Sequence, residues 1–332
     1  MFEMKVVVVG LGSMGKRRIR LIKQYDKTIE ICGIDTSQER RAQAEEMFAI
    51  STFESLHAIE ENSCDCAFIS TSPLSHSKLI RECLQKNMHV FTEINLVPDG
   101  YDENIQLAAD KGKVLFISST FLYREEIKYI GKMVGQSKSP MNYIYHIGQY
   151  LPDWHPWESY QNYFIGDKRT NGCREIFAIE LPWILNTFGD VSRIYSIKGK
   201  NTNLAIDYPD NYIVCLEHEN GTKGSLIVDV VSRKAVRNLE IYSEDLYLGW
   251  NGTPEGLYYY DYQQKKDIVV DLYDEVERRE GYSSFIVENG YLHEIESFFT
   301  QVKDGVLPIY DFEKDKRTLQ IIDDIGADDV TI

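Results

Sequence analysis

Residues 5–15 read KVVVVGLGSMG, a short apolar run that passes directly into three spaced glycines. The apolar run lacks alternation, which predicts a parallel strand buried on both faces. In the pattern Gly10-x-Gly12-x-x-Gly15 the glycines allow a tight turn, close approach of the backbone to a pyrophosphate, and close packing of helix on strand. The N-terminus of the following helix offers unpaired N–H groups to phosphate. The stretch therefore predicts a dinucleotide-binding turn.

A second strand-like stretch, residues 29–34, ends in Asp35, twenty residues after Gly15. A carboxylate at this place accepts hydrogen bonds from the adenosine ribose hydroxyls. It also repels a 2′-phosphate, and the first arginine after it is Arg40, so the sequence favours NAD over NADP. Either Arg40 or Arg41 could fold back toward that phosphate, which keeps NADP as an alternative. A glycine-rich turn with an ordinary strand-end aspartate is the purely structural interpretation.

The composition is that of a globular protein long enough for two domains: of 332 residues, 43% are hydrophobic and 27% are charged. The net charge of −16 disfavours binding to nucleic acid or to an anionic membrane, because both surfaces are negative. No apolar run approaches the roughly 20 residues that cross a bilayer. The amino terminus has no signal-peptide layout, which predicts a cytoplasmic protein. The six cysteines are scattered, and no Cys/His set predicts a metal site.

Strand and helix patterns alternate through the first third of the chain. This alternation predicts a doubly wound parallel sheet of the Rossmann type over residues 1–120. Beyond residue 140, strand-like stretches follow one another with few helices between them, and Asn220-Gly221 is a strong hairpin signal. Residues 121–332 are therefore predicted to form an α+β domain with a mostly antiparallel sheet and helices on one face.

Three helices are predicted in this second domain. One covers residues 175–188 despite Pro182, which can mark a kink. Two closing helices, near residues 282–302 and 312–325, could pack back on the first domain.

Segments after the third and fourth strands carry a family resemblance. Residues 71–76 read TSPLSH and residues 90–93 read VFTE. Together with the glycine turn and Asp35 they resemble the glucose–fructose oxidoreductase, inositol dehydrogenase and rhizopine-catabolism (Gfo/Idh/MocA) family along nearly the whole chain. Residues 148–160 resemble a subgroup associated with sugar metabolism and surface-polysaccharide biosynthesis.

The family resemblance implies a reaction as well as a fold. It implies a Rossmann domain that binds NAD(P), and a second domain whose sheet carries substrate on one face and often mediates oligomerisation with the other. The implied reaction is reversible hydride transfer between nicotinamide C4 and a carbinol of a sugar, cyclitol or nucleotide-sugar. A homodimer or homotetramer through that sheet is expected.

The predicted cofactor contacts follow the carboxyl ends of the strands, where ligands bind in such sheets. They are Gly10, Gly12, Ser13, Met14, Gly15, Asp35, Arg40, Thr71, Ser72, Pro73, His76, Glu93 and Asn95. A histidine recurs at the position of His76 in the family, near the nicotinamide ribose. His76 could equally cap its helix or pack against the cofactor.

The sequence departs from the family at both acid–base positions. The family's Glu-Lys-Pro is Glu93-Ile94-Asn95 here, and an isoleucine neither donates nor accepts a proton. In the helix that carries the family's second motif, the His position is Ile179 and the later Asp position is Pro182. The proton shuttle must therefore be non-standard.

Glu175, His155 and Tyr123 are the predicted catalytic groups. Glu175 opens the helix that faces the cofactor in this family, and burial there would bring its titration nearer neutrality. His155 lies in an aromatic-rich loop suited to stacking on a sugar, and Tyr123 is a further proton donor. A rigid structural loop with a satisfied histidine is an equally weighted interpretation of His155.

The predicted substrate contacts are Tyr150, Asp153, Trp154, Trp157 and Arg174. Arg174 could hold a carboxylate or phosphate of the substrate, or lower the pKa of Glu175 by pairing with it. As the structural alternative, Arg174 and Glu175 form an ordinary exposed pair at a helix start.

Three hypotheses remain open from the sequence. The protein is a dehydrogenase with a relocated proton shuttle, a catalytically silent NAD-binding sensor or partner subunit, or an enzyme that uses tightly bound NAD for redox-neutral elimination or epimerisation. Loss of both acid–base positions with the nucleotide turn kept is what the second hypothesis requires. Cofactor retained through purification would favour the third.

Overall fold

A computed structural model describes residues 4–155, 158–278 and 285–327. The chain divides into two compact units. The amino-terminal unit comprises Met1–Ser119 and Tyr291–Lys316, and the second unit comprises Thr120–Gly290 and Arg317–Ile332. The sequence-based boundary at residue 120 stays a prediction about independently folding domains.

The amino-terminal unit contains a parallel sheet. Its strands are β1 (Lys5–Val9), β2 (Glu30–Ile34), β3 (Ser51–Phe53), β4 (Cys66–Ile69), β5 (His89–Thr92) and β6 (Leu115–Ile117), and its helices include α1 (Ser13–Tyr25), α2 (Gln38–Phe48), α3 (Pro73–Gln85) and α4 (Tyr101–Asp110). The strand order is β3-β2-β1-β4-β5-β6, with every neighbouring pair parallel. This doubly wound order confirms the predicted Rossmann-type fold. The sequence pattern does not predict β3, because three residues are too few to show a period.

Stacked phenylalanines form the core of this unit beside α7 (Glu288–Asp304). Phe68 stacks on Phe91 with ring centroids 4.7 Å apart, and Phe91 stacks on Phe116 at 5.1 Å. Phe298 of α7 meets all three rings edge-on. Each fully buried ring contributes about 1.5–3 kcal/mol of hydrophobic stabilisation. These contacts fix the strands whose carboxyl ends carry the candidate site; the predicted start of α7 at residue 282 lies outside the described residues.

The second unit contains an eight-stranded sheet. Its strands are β7 (Asn142–Gly148), β8 (Val191–Gly199), β9 (Asn211–His218), β10 (Lys223–Asp229), β11 (Val236–Tyr242), β12 (Tyr247–Trp250), β13 (Leu257–Asp261) and β14 (Lys266–Val269). The order is β14-β13-β12-β11-β7-β10-β9-β8. Only the pair β7–β10 is parallel among these strands, which confirms the predicted mostly antiparallel sheet.

Helix α6 (Gly172–Phe188) packs on one face of this sheet. Tyr143 of β7 stacks on Phe188 at 4.4 Å, and Tyr145 meets Trp183 edge-on at 5.5 Å. The helix begins three residues before its predicted start, because Asn171 caps it by accepting a hydrogen bond from Arg174 N at 2.8 Å. Two further helices are α5 (Glu125–Gln136) and α8 (Phe312–Gly326). The sequence analysis did not predict α5.

The opposite face of the sheet exposes apolar side chains. Ile144, Tyr195, Ile197 and Ile213 all point away from α6, and Ile197 is 72% exposed. Exposed apolar residues that share one sheet face form a patch of the kind that marks an interaction surface.

The described residues contain neither a membrane-spanning helix nor a metal-binding cluster. No described helix is long and apolar enough to cross a membrane. No group of three or more His, Cys, Asp or Glu side chains in the described part of the chain could hold a metal ion. The six cysteines are free thiols.

Candidate functional site

The glycine turn closes the carboxyl end of β1. Gly10 has φ +91°, in the left-handed region that favours glycine, and its N–H donates to the carbonyl of Ile34 at 2.7 Å. A Cβ atom on Gly10 would lie 2.5 Å from the carbonyl oxygen of Ser70, and one on Gly15 would lie 1.8 Å from the carbonyl oxygen of Gly10. Both distances are too short for a side chain. The turn and the packing of α1 on β1 therefore each require glycine.

Gly12 leaves the start of α1 open. A Cβ atom built on Gly12 meets no described atom within 4 Å, in contrast to Gly10 and Gly15. No side chain caps the helix at Gly12, and Ser13 in its first turn is exposed. A helix N-terminus with free N–H groups and its positive dipole end favours an anion. This arrangement fits a pyrophosphate.

Asp35 ends β2 as a buried carboxylate held by two backbone amides. The N–H of Leu11 donates to its Oδ2 atom and the N–H of Ser37 donates to its Oδ1 atom, each at 2.8 Å. Each carboxylate oxygen can accept a further hydrogen bond, so Asp35 retains capacity for ribose hydroxyls. The bond from Leu11 ties Asp35 to the glycine turn. The structure thus brings the residues predicted for pyrophosphate and ribose together.

Two arginines lie beside Asp35. The Nη1 atom of Arg40 lies 3.8 Å from Oδ2 of Asp35, and the Arg40 side chain is 56% exposed. Nη1 of Arg41 donates to the backbone carbonyl of Asp35 at 2.7 Å, so Arg41 is held against the chain. Arg40 is therefore the arginine able to turn toward a 2′-phosphate. The contact of either residue with a nucleotide stays a prediction.

Residues Thr71, Ser72 and Pro73 connect β4 to α3. The helix begins at Pro73, because the fixed φ of proline suits the first helical position. The Oγ1 atom of Thr71 lies 2.7 Å from Oγ of Ser75, and Ser72 is exposed. These residues lie at the carboxyl end of β4, which neighbours β1.

His76 is buried and uses both ring nitrogens inside the unit. Its Nδ1 atom lies 2.5 Å from Oδ1 of Asn95, and its Nε2 atom lies 3.0 Å from the carbonyl oxygen of Thr71. Burial lowers the pKa of His76 and outweighs the opposing effect of these hydrogen bonds. His76 and Asn95 therefore hold the loops after β4 and β5 together. Their contact with a cofactor stays a prediction.

Glu93 belongs to a buried ion-pair network. Nε and Nη2 of Arg18 donate to its two carboxylate oxygens at 2.7 and 2.8 Å. Nη2 of Arg18 also donates to Glu294 at 2.9 Å, and Ser118 and the N–H of Ser119 donate to Glu294 as well. Burial lowers the pKa of Arg18, but the two carboxylates outweigh it and the net shift is upward. Both oxygens of Glu93 are engaged, and its contact with a cofactor stays a prediction.

Glu175 lies in the first turn of α6, in the second unit. Its side chain is half-buried, and no described side chain donates a hydrogen bond to its carboxylate. Burial raises the pKa of Glu175 to about 7. A carboxyl group with a pKa near the working pH can both give and take a proton.

Arg174 forms an ion pair with Asp323. Its Nη1 atom donates to Oδ1 of Asp323 in α8 at 2.6 Å. Burial is the only cause of the raised pKa of Glu175, so the hypothesis that Arg174 lowers this pKa by pairing finds no contact to support it. A substrate contact at Arg174 stays a prediction.

His155 stacks on Tyr163, with ring centroids 4.6 Å apart and planes 29° from parallel. Burial lowers the pKa of His155. The hydroxyl oxygen of Tyr163 is inaccessible to solvent and has no hydrogen-bond partner among the described residues. Burial raises the pKa of Tyr163, and the next largest cause is the charge of Glu175. Tyr163 is thus a ring contact of His155.

Trp154 packs at the start of α6. A Cβ atom on Gly172 would lie 3.6 Å from Cη2 of Trp154, an ordinary van der Waals distance. Nε1 of Trp154 donates to the carbonyl of Gln149 at 3.0 Å. The aromatic loop is thereby held to the helix that carries Glu175.

The remaining predicted residues of this unit lie in varied surroundings. The guanidinium carbon of Arg233 lies 4.1 Å from the ring centroid of Tyr150. Asp153 is exposed and Tyr123 is buried. Trp157 lies outside the described residues. The roles assigned to these four residues stay predictions.

Sequence reasoning missed Tyr163 and Arg18. Tyr163 is one of 22 tyrosines and carries no motif, so no signal separates it from the others. Arg18 had a signal: it lies three residues before Leu21 and four before Ile22, which places it on the apolar face of α1. A cation on such a face must be paired when the helix packs on a sheet.

The amino-terminal unit is similar to a known protein family. Residues 4–119 match a family model described as an oxidoreductase family with an NAD-binding Rossmann fold, the Gfo/Idh/MocA family. The matched residues contain the glycine turn, Asp35 and the segments after β4 and β5. Residues 4–119 are therefore similar to the NAD-binding domain of the Gfo/Idh/MocA oxidoreductases.

Individual proteins are similar to this chain over different shares of its length. Biliverdin reductase A of Mus musculus is 32% identical over 133 residues, which cover 39% of this chain and 44% of that protein. The chain thus matches less than half the length of this curated relative. UDP-N-acetylglucosamine 3-dehydrogenase of Acidithiobacillus ferrooxidans superposes with a TM-score of 0.74 at 18% identity, over 98% of this chain and 97% of that one.

A biliverdin reductase of Synechocystis sp., solved with biliverdin and NADP+, superposes with a TM-score of 0.75 at 19% identity. The superposition covers 97% of this chain and 98% of that one. At these identities the two superpositions show a shared fold.

Proposed function

We propose that this protein is an NAD(P)-dependent oxidoreductase that transfers a hydride between nicotinamide C4 and a carbinol carbon of a sugar, cyclitol or nucleotide-sugar. The observation that carries the proposal is the glycine turn joined to Asp35 by the hydrogen bond from Leu11. The match of residues 4–119 to an NAD-binding oxidoreductase family supports it. So does the fold shared with a nucleotide-sugar dehydrogenase.

The residues of the amino-terminal unit fit a dinucleotide. The open space at Gly12 and the first N–H groups of α1 would hold the pyrophosphate. Asp35 would accept hydrogen bonds from the adenosine ribose, and Arg40 would contact a 2′-phosphate. The bound cofactor supplies the hydride acceptor, and the protein has to orient the carbinol and move its proton.

Glu175 would move that proton. The family's acid–base positions are Ile94 and Ile179 here, which cannot titrate. Burial raises the pKa of Glu175 to about 7, and no described side chain donates to it. A carboxyl group of this kind can accept the hydroxyl proton as the carbinol is oxidised and return it in the reverse direction.

Binding and turnover measurements test the proposal. We expect calorimetry to detect NAD or NADP, and we expect inositol, free sugars or UDP-N-acetylglucosamine to yield reduced nicotinamide. The change Glu175→Gln should abolish turnover and leave nucleotide binding intact, whereas Glu158→Gln, an exposed acid of the same unit, should retain both. Absence of affinity for either nucleotide would overturn the proposal.

Reduction of a linear tetrapyrrole is a second candidate reaction. It is favoured by the similarity to biliverdin reductases, in sequence over part of the chain and in fold over nearly all of it. Oxidation of NADH or NADPH in the presence of biliverdin, without turnover of any carbinol, would select it. Nucleotide binding without turnover of any compound would favour the sensor hypothesis, and nucleotide retained through purification would favour the redox-neutral one.

We also propose that the apolar face of the second sheet joins copies of the chain. Ile144, Tyr195, Ile197 and Ile213 are exposed together on this face. Burying them against a second copy removes apolar surface from water. Light scattering should report an oligomer that Ile197→Lys reduces to monomer.

A further inference from the structure

We propose that Arg233 binds a carboxylate or phosphate group of the substrate, so that the carbinol compound handled by this protein is an anionic one. The proposal rests on the proposed function in taking Tyr150 and Glu175 as parts of the substrate site. It adds an anionic class of substrate and a residue that selects it.

Arg233 is a half-buried arginine that forms no ion pair with a described residue. Other arginines of the second unit each pair with an aspartate or glutamate, namely Arg124, Arg174, Arg193, Arg237, Arg278 and Arg317. Carboxylates outnumber cations in this chain, whose net charge is −16. An arginine left without a carboxylate in such a chain keeps its charge available to an anionic ligand.

An aromatic ring holds the guanidinium group of Arg233 in place. The central carbon of this group lies 4.1 Å from the ring centroid of Tyr150. A guanidinium held over an aromatic face keeps its N–H edge free, and this edge can donate two parallel hydrogen bonds to a carboxylate or phosphate. Tyr150 therefore positions Arg233 without using its hydrogen-bond donors.

Two backbone hydrogen bonds join the segment that carries Arg233 to the segment that carries Tyr150. The N–H of Tyr150 donates to the carbonyl of Ser232 at 2.7 Å, and the N–H of Leu151 donates to the carbonyl of Val230 at 3.0 Å. Both segments lie just beyond the carboxyl ends of β7 and β10, which are parallel neighbours. The main chain thus places the ring and the guanidinium group side by side.

Asp229 fixes the turn before Arg233 and is itself engaged. Its Oδ1 atom accepts hydrogen bonds from the N–H groups of Val231 and Ser232 at 2.9 and 2.7 Å. Its Oδ2 atom accepts one from the Ser232 hydroxyl at 3.0 Å and lies 2.7 Å from Nε2 of His146. The carboxylate closest to Arg233 along the chain is therefore used within the turn and not at Arg233.

The same two segments pack on the first turn of α6. A Cβ atom on Gly172 would lie 3.1 Å from Cδ1 of Leu151 and 3.1 Å from Cγ1 of Val230. Gly172 thus lets both segments approach the helix closely, three residues before Glu175. The unpaired cation and the proposed acid–base group are carried by segments that contact each other, which suits a compound with both an anionic group and a carbinol.

The other cations of these segments are engaged or exposed. Arg174, the residue before Glu175, is held by Asp323 at 2.6 Å. Lys234, the residue after Arg233, is exposed, and a cation surrounded by water holds an anion only weakly. Arg233 is therefore the cation that is both available and held in position, and Lys234 is its natural control.

Matched compounds test the proposal. Glucose, glucuronate and glucose 6-phosphate differ at carbon 6, which carries a hydroxyl, a carboxylate or a phosphate, and N-acetylglucosamine is compared with UDP-N-acetylglucosamine. Calorimetry in the presence of NAD or NADP measures affinity, and kcat and KM are measured where turnover occurs. We expect at least one anionic compound to bind at least about tenfold more tightly than its neutral counterpart. A preference for glucuronate would assign a carboxylate, and a preference for the phosphorylated compounds would assign a phosphate.

Four variants assign the preference to Arg233. Arg233→Met should abolish it by weakening the anionic compound about tenfold or more, while the neutral compound changes less than about twofold. Arg233→Lys keeps the charge but not the paired donors and should be intermediate. Tyr150→Leu removes the ring that positions Arg233 and should also weaken the anionic compound. Lys234→Met should change its affinity less than about twofold, and melting temperatures report whether each variant is folded.

Salt dependence separates a bound anion from a structural arginine. The affinity of the parent for the anionic compound should fall as the ionic strength rises, and this dependence should weaken in Arg233→Met. An equal loss of anionic and neutral compounds in Arg233→Met would overturn the proposal, because an arginine that only supports the fold affects both alike. Equal affinity of the parent for the two kinds of compound, or no binding of any anionic one, would overturn it as well.

The outcomes for Arg233 and for the proposed function are distinguishable. Turnover of neutral compounds alone, unchanged in Arg233→Met, would overturn the role of Arg233 and leave the proposed function standing. Loss of the anionic preference in Arg233→Met together with an active Glu175→Gln variant would overturn the role of Glu175 and support that of Arg233.

Discussion

Glu93 and Glu175 are two carboxyl groups that are shielded from solvent, and their surroundings are opposite in kind. Glu93 receives two hydrogen bonds from Arg18 and one from Ser70, all within the amino-terminal unit. Glu175 lies at the start of α6 and receives none from the described side chains. The sequence predicts Glu93 as a cofactor contact and Glu175 as a catalytic group, and their surroundings in the structure differ completely.

This difference separates a carboxylate that stabilises the fold from a carboxyl group that can exchange a proton. Arg18 donates to both oxygens of the buried Glu93 carboxylate, so this charge is already paired within the fold. A carboxyl group that is withdrawn from water and left without a donor titrates near neutrality, as the raised pKa of Glu175, about 7, indicates. We therefore expect changes around Glu93 to lower stability, and changes at Glu175 to alter chemistry and to raise stability where the parent carboxyl group ionises.

The largest effect is expected from Arg18→Met. It leaves Glu93 and Glu294 as two buried carboxylates without their common cation. Removing one partner of a buried ion pair costs about 3–5 kcal/mol, so the free energy of unfolding should fall by that amount in urea titrations. Arg40→Met, at a largely exposed arginine, is the matched control and should cost under about 1 kcal/mol. Equal losses for the two variants would remove the distinction drawn for Glu93.

Glu175→Gln should act on stability with the opposite sign and a clear pH dependence. Below pH 4.5, the ordinary pKa of a glutamate, the carboxyl group is protonated in the folded and the unfolded chain alike. As the pH rises from 4.5 to about 7, the unfolded chain loses this proton first, so the folded state is progressively destabilised. Gln cannot ionise and escapes this loss.

The variant should therefore gain stability over the parent through that pH window. The gain should reach up to roughly 2 kcal/mol at alkaline pH, after discount for partial exposure of the side chain. Urea titrations of both proteins across the pH range measure it. A constant difference between them would mean that Glu175 titrates normally and that the contrast with Glu93 is false.

The sequence predicts more of the fold than of the candidate site. The unbroken apolar run before Gly10 and the strand end at Asp35 predict the parallel sheet, because burial on both faces and tight turns leave a direct trace in residue type. The predicted start of α6 is three residues too late. Its true start depends on one hydrogen bond that the Asn171 side chain accepts, and the sequence does not reveal this bond. The partner of Glu93 was not predicted, because Arg18 lies 75 residues away in the chain.

The choice between NAD and NADP tests a third carboxylate, Asp35. Two backbone N–H groups already donate hydrogen bonds to it. Arg40 lies 3.8 Å from it with a largely exposed side chain. Arg40→Ala should weaken NADP binding about tenfold, because a hydrogen bond to a charged group contributes about 1.5–3 kcal/mol. NAD binding should change less than about twofold, since it carries no 2′-phosphate. Calorimetry with both nucleotides measures the ratio, and parallel losses for the two would assign Arg40 to the fold of the turn.

The smallest effect is expected from Arg174→Ala, which breaks the pair with Asp323. Asp323 is half exposed, so water can replace the lost contact and the cost in unfolding free energy should stay under about 1 kcal/mol. Because burial alone raises the pKa of Glu175, the pH dependence of stability should be the same in this variant as in the parent. A stability curve displaced along the pH axis would show that the charge of Arg174 reaches Glu175. In that case Glu175 would resemble Glu93 more closely, as a carboxylate with a nearby cation.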